Sequence, residues 1–338
     1  MSLDNMTLGA LLEDPRIARI APDAIRCRNL KEEPVWEMTL ETLRREQLFS
    51  GDIARGMERL YRAADTGEWY YPLYSPEECR EDPAREGVNV VWLPSSDPKA
   101  DERPFILLVP GGGFVNVWNI NEGWSVAAQF NDHGYHVFVL TYQVEGEKNL
   151  LEKDMQDFAA ALRLIREHEK DFHVRGDRYI TCGFSAGGYL VCLWNTKKGY
   201  ASFDLPAPQA VFPIYPVTTL KEEIRYGSED PEEAIRLYGC PLAEARKSEY
   251  EITEHVEGFP PCAIFVAAGD DLVNPENSKL LAKALEAHQI PCRLEIGPTG
   301  NHGFADGADM CMDGWISRAV NWYEVAAGDG LQPGTVPV

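Results

Sequence analysis

The hydrophobic rhythm of the chain changes near Gly87. Before that point, in stretches such as LETLRREQLFSGDIARGMERLYRAA (40–64), apolar residues recur three and four positions apart. That spacing lines one face of an α-helix. WYYPLY and the polar run SPEECREDPAREG follow. Residues 1–84 therefore read as an N-terminal helical extension, packed against a main domain at 85–338. From Gly87 onward short apolar runs alternate with amphipathic ones. VNVVWLP (88–94), PFILLVP (104–110), HVFVLTYQV (136–144), DRYITCG (177–183), AVFPIYP (210–216), CAIFVAAG (262–269) and CRLEIG (292–297) predict strands. SVAAQFNDHG (125–134), LLEKDMQDFAAALRLIREHEKDF (150–172), AGGYLVCLWNT (186–196), NPENSKLLAKALEAHQI (274–290) and DMCMDGWISRAVNWYEVA (309–326) predict helices. Residues 217–260 are charged and mixed, an insertion between core elements.

Strands alternating with helices predict an α/β fold, a mostly parallel sheet covered by helices on both faces. Ligands of such sheets bind at the carboxyl ends of the strands. Chemically useful residues should therefore follow strands.

Composition narrows the classes of function. Of 338 residues, 44% are apolar and 25% charged, which suits a globular domain with a sizeable core. The formal charge is −22, from 54 acidic and 32 basic residues. A surface that negative repels phosphate backbones and anionic membranes, so neither nucleic acid nor membrane is expected as a partner. The cysteines are Cys27, Cys79, Cys182, Cys192, Cys240, Cys262, Cys292 and Cys311. No CxxC pair occurs, and several lie in apolar runs. The opening MSLDNMTLGALLEDPR has no basic start and no apolar core of a leader peptide. Reduced, mostly buried cysteines in a cytoplasmic protein are the expectation. No apolar stretch approaches the ~20 residues that span a bilayer.

Four short motifs carry chemistry. Gly183-Phe184-Ser185-Ala186-Gly187 matches G-x-S-x-G and lies between a strand run and a helix run, the context in which that motif presents a nucleophilic serine. The N–H of Ala186 would point from a helix N-terminus toward developing negative charge. Pro110-Gly111-Gly112-Gly113-Phe114 also follows a strand, and its bare backbone can approach a substrate. Gly112 or Gly113 could supply the second donor of an oxyanion hole. Ala268-Gly269-Asp270-Asp271 places one of two aspartates to orient a histidine. Gly300-Asn301-His302-Gly303-Phe304 offers an accessible histidine as general base. The order Ser185, Asp270 or Asp271, His302 follows that of the α/β-hydrolases. All three residues follow strands. No Cys/His spacing suggests a metal, and no cofactor is called for.

PGGGF, GFSAGG and GDDLVNPENS…GNHGF resemble α/β-hydrolase esterases and lipases, the hormone-sensitive-lipase-like and acetyl-xylan-esterase-like carboxylesterases in particular. The resemblance covers about residues 87–326. In those families a pattern like D-x-x-V-P-x-E-N-S carries the acid first, which favours Asp270 over Asp271. They usually have His-Gly-Gly-Gly at the oxyanion loop, where this chain has Pro110. Sugar-ester hydrolases share PGGG followed by E-G-x-x-V-A, here Glu122 to Ala127. The resemblance implies a serine esterase acting on small esters, of short acyl or acetylated-sugar type, with 85–338 as its catalytic domain. A peptidase or amidase on the same fold, and a binding protein that kept the fold, are the rival readings. Phe114, Trp118, Trp124 and Tyr189 flank the motifs and are candidates to line a substrate pocket. The extension and the 217–260 insertion are each candidate lids, and the extension could also form a homodimer contact.

Overall fold

The computed structural model describes residues 3–26, 34–46, 48–67, 69–222 and 230–328. Cys27 and residues 223–229 of the expected insertion lie outside the described residues. The strands are β1 (Tyr70–Pro72), β2 (Asn89–Leu93), β3 (Phe105–Val109), β4 (Val137–Thr141), β5 (Tyr179–Phe184), β6 (Ala210–Ile214), β7 (Cys262–Ala267) and β8 (Cys292–Gly297). They form one sheet in the order β1-β2-β4-β3-β5-β6-β7-β8. The β1–β2 and β2–β4 pairs are antiparallel and all others parallel. This is an α/β-hydrolase sheet.

Period-two alternation divides its side chains. Ile106 and Leu108 of β3 join one buried cluster, and Phe105, Leu107 and Val109 join the other. Every residue of β3 is buried, as a parallel strand covered on both faces requires. One face is covered by α5 (Val126–Asp132) and α11 (Trp315–Gly328). The same cluster takes in Leu8, Leu11 and Leu12 of α1 (Leu8–Leu12), Leu40 and Leu43 of α2 (Leu40–Arg45), and Ile53, Met57 and Leu60 of α3 (Ile53–Thr66). The N-terminal helices therefore share the core of the sheet. The opposite face is covered by α6 (Leu150–Glu167), α7 (Ser185–Leu193) and α10 (Glu276–Ala287), while α4 (Pro76–Glu81), α8 (Pro231–Tyr238) and α9 (Leu242–Ala245) lie in connections between strands.

Three expectations are corrected. Residues 1–84 are not wholly helical, because Tyr70–Pro72 extend the sheet at its edge, where a proline breaks no central ladder. The last helix begins at Trp315, not 309, because Gly307 and Gly314 have φ of +79° and +73° and turn the chain before it. The described cysteines are free, but only Cys182, Cys192 and Cys262 of those seven are buried. No helix among the described residues is long and apolar enough to cross a membrane.

Candidate active site

The strand ends on one edge of the sheet carry the chemistry. β5 passes into α7 with no residue between them, and Ser185 stands at the junction with φ +51°. A left-handed non-glycine residue costs on the order of 1–3 kcal/mol. The flanking glycines are steric necessities. A Cβ on Gly183 would lie 2.3 Å from the Gly187 carbonyl oxygen, and one on Gly187 would lie 2.1 Å from that of Val109.

His302 stands in a loop after β8, between Gly300 (φ +95°) and Gly303 (φ +79°). Its Nε2 is 2.9 Å from Ser185 Oγ and its Nδ1 is 2.7 Å from Asp270 Oδ2. The Asp270 side chain is fully buried, and its Oδ1 accepts the N–H groups of Leu272 (3.1 Å) and Val273 (2.8 Å). Both carboxylate oxygens are thus committed. The imidazole proton belongs on Nδ1, which leaves the Nε2 lone pair facing Ser185. Asp271 is exposed to solvent, so the structure brings Asp270 to the histidine.

The glycine loop after β3 lies beside the serine. Gly112, Gly113 and Phe114 have φ of +140°, +64° and +62°. The Gly111 carbonyl accepts Trp118 N–H at 3.0 Å, and the Gly112 carbonyl accepts Asn116 N–H at 3.0 Å. Gly112 and Gly113 face the same cavity as Ser185. The N–H of Ala186 belongs to the first turn of α7, where amides have no intrahelical partner.

The cavity holds about 860 Å³. One wall comes from the N-terminal segment, through Arg44 and Leu48 to Asp52. Ser50 Oγ donates to the Gly303 carbonyl, and Asp52 N–H donates to Asp306 Oδ2 at 2.9 Å. This wall is thereby fixed to the loop that carries His302. The expected insertion at 217–260 contributes no described residue to the cavity.

Of the four aromatic pocket candidates, Trp118 alone lines the cavity, edge-on to Phe49 at 5.6 Å. The other three are corrected to core residues. Phe114 packs on Tyr189 at 5.9 Å, the Tyr189 hydroxyl donates to the Tyr250 carbonyl, and Trp124 is 1% exposed in the core on the α3 face.

Two residues outside the four motifs, Glu122 and Tyr215, also belong to the site. Glu122 is buried against the cavity, where Oε2 accepts Gly111 N–H at 2.6 Å and Oε1 accepts the Tyr215 hydroxyl at 2.8 Å. Burial pushes its carboxyl above the usual range, and the two donors oppose that shift. The available signals were the E-G-x-x-V-A segment and the position of Tyr215 after a strand. Among the described residues no group of three or more His, Cys, Asp or Glu side chains is placed to hold a metal ion.

Comparison with known proteins agrees with this architecture. Residues 91–285, more than half of the chain, match the BD-FAE family. Endo-1,4-beta-xylanase B of Butyrivibrio fibrisolvens is 29% identical over 237 residues, which are 66% of this chain and 35% of that protein. Acetylxylan esterase of Xylanibacter ruminicola is 26% identical over 216 residues, 60% of this chain and 41% of that protein. The chain thus spans less than half the length of these two curated relatives. The acetyl ester-xyloside bifunctional hydrolase of Caldicellulosiruptor lactoaceticus superposes with a TM-score of 0.63 at 27% identity, covering 76% of this chain and 96% of that one. The chain belongs to the BD-FAE family and is an esterase-like α/β-hydrolase.

Proposed function

We propose that this chain hydrolyses carboxylic esters of short acyl groups, acetylated sugars among them, through Ser185, His302 and Asp270. The observation that carries this reading is the unbroken hydrogen-bonded line from Ser185 Oγ through His302 to Asp270, at 2.9 and 2.7 Å. His302 Nε2 takes the Ser185 proton as Oγ attacks the ester carbonyl carbon. The amides of Gly112, Gly113 and Ala186 receive the negative charge that forms on the carbonyl oxygen. The protonated His302 then gives its proton to the leaving alcohol, and an acyl-serine remains. Water repeats the sequence and releases the acid. Asp270 holds the ring and offsets the charge of the imidazolium. The acetyl-ester activities in the names of two relatives support the short-acyl preference. The seven cysteines among the described residues are free, which supports a reducing compartment such as the cytoplasm.

The test is a substrate panel. Initial rates are measured on p-nitrophenyl acetate, butyrate and longer esters, on acetylated sugars, and on aminoacyl p-nitroanilides. The expected result is fastest turnover of acetyl esters, with amides at least about 100-fold slower. Faster turnover of the anilides, or no turnover of any ester, would overturn the reading.

A further inference from the structure

Glu122 is a buried carboxylate against the cavity, and the steps above give it no task. Burying a carboxylate is costly, and two hydrogen bonds do not make it a net source of stability. Its contacts point in two directions. Oε2 accepts the N–H of Gly111, the residue just before the two glycines that line the cavity. That loop has little slack. A Cβ on Gly111 would lie 2.7 Å from the Phe184 carbonyl oxygen, 2.9 Å from Glu122 Oε2 and 2.9 Å from Ser185 Cβ. The loop is thus gripped between the serine turn and the Glu122 carboxylate.

Oε1 accepts the hydroxyl of Tyr215, which follows β6 with φ +38°. The same hydroxyl oxygen accepts Ala305 N–H at 3.2 Å, three residues beyond His302. The Tyr215 ring stands edge-on to the imidazole of His302, 4.7 Å between centroids. One carboxylate therefore reaches the glycine loop on one side and, through one phenol, the histidine loop on the other.

We propose that Glu122 is a positioning residue that fixes the Gly112 and Gly113 amides against Ser185 and, through Tyr215, holds that loop in register with His302. The proposal rests on the ester-hydrolysis reading of Ser185. Glu122 acts as a hydrogen-bond acceptor through Gly111. Its loss would misplace the oxyanion donors without removing them. Removing one such donor costs about 10²–10³-fold in turnover, and a misplacement of ~1 Å costs about 10²-fold.

The experiment measures kcat and KM on p-nitrophenyl acetate for Glu122→Ala, Glu122→Gln, Tyr215→Phe and Ser185→Ala. The first three are normalised to active sites counted with a fluorophosphonate label taken to completion. Glu122→Ala is expected to lose about 10²–10³-fold in kcat per labelled site with KM changed less than about threefold. Glu122→Gln offers an oxygen to Gly111 and an amide to the Tyr215 oxygen, and it should recover turnover to within about 10-fold of the parent. Tyr215→Phe should lose about 10-fold. A merely structural role would reduce the number of labelled sites and leave kcat per site alone. Normal kcat per site in Glu122→Ala, a loss confined to KM, or equal losses in the Gln and Ala variants would each overturn the proposal. If Glu122→Ala does not fold, Tyr215→Phe decides it, and unchanged kcat per site there is the overturning result. Turnover kept by Ser185→Ala overturns the hydrolysis reading and this proposal together. Turnover lost in Ser185→Ala but kept in Glu122→Ala overturns the proposal alone.

Discussion

Replacing Asp270 by asparagine exchanges one heavy atom, removes the carboxylate charge, and should change which nitrogen of His302 carries the proton. Asp270 Oδ1 receives the N–H groups of Leu272 and Val273 at 3.1 and 2.8 Å. An asparagine must keep its oxygen there, because its amide group would set donor against donor. The amide then faces His302 Nδ1 at the position Oδ2 now holds, 2.7 Å away. Nδ1 must become the acceptor, and the ring proton moves to Nε2. An Nε2–H cannot take the Ser185 proton across the 2.9 Å contact. The same exchange in a triad on another fold costs about 10⁴-fold in kcat, equivalent to about 5.4 kcal/mol of transition-state stabilisation. Asp270 does not line the cavity, so KM should stay within about threefold. The assay is initial-rate hydrolysis of p-nitrophenyl acetate by Asp270→Asn, with a circular-dichroism melt to verify folding. A folded variant within about 10-fold of the parent rate would show that Asp270 does not set the His302 tautomer.

Three further outcomes are expected. Burial pushes the Asp23 carboxyl from 3.8 up to about 7, so the folded protein holds that proton more tightly than the unfolded chain. The stability this confers is present in full below about pH 4 and is lost as pH rises through about 7, an effect on the order of 4 kcal/mol. The fall in melting temperature between pH 5 and pH 8 should be visibly shallower in Asp23→Asn; an unchanged slope contradicts this. Phe49→Ala removes the ring that meets Trp118 at the cavity wall. Urea unfolding should show a loss of about 3 kcal/mol, and the butyrate-to-acetate ratio of kcat/KM should rise as the wall opens. Gly187→Ala would set a methyl group 2.1 Å from the Val109 carbonyl oxygen and 2.4 Å from that of Pro110, backbone atoms that cannot swing aside. Urea unfolding should report a loss of about 3 kcal/mol or failure to fold; near-parental stability would show that the turn is looser than described.

The parallel strands were legible because burial on both faces leaves continuous apolar runs, as in FILLV of β3. β1 was not, because three residues at a sheet edge carry no period, and Tyr70–Pro72 reads as an aromatic cluster. The line from Ser185 to Asp270 was foreshadowed by the rule that useful residues follow strands. The cavity wall was harder. Phe114, Trp118, Trp124 and Tyr189 all lie near motifs in sequence, yet only Trp118 reaches the cavity. Proximity along a chain does not fix the side of a loop or helix to which a side chain points. The Glu122 contacts were invisible for a related reason. Its partners are 11 and 93 residues away, and no local pattern records a contact that the sheet topology creates. The N-terminal segment was legible as helix, but its place beside His302 depends on Ser50 and Asp52, two polar residues in a turn.

Every step proposed above depends on Ser185 as the nucleophile. Folded protein treated with a fluorophosphonate probe and digested for peptide mass analysis tests it directly. One label per chain is expected, on the peptide holding Ser185, with ester hydrolysis falling in step with labelling. Ser185→Ala should remain unlabelled and turn over at least about 10³-fold more slowly. Hydrolysis that persists after complete labelling, or a label on any other residue with Ser185 untouched, would contradict it.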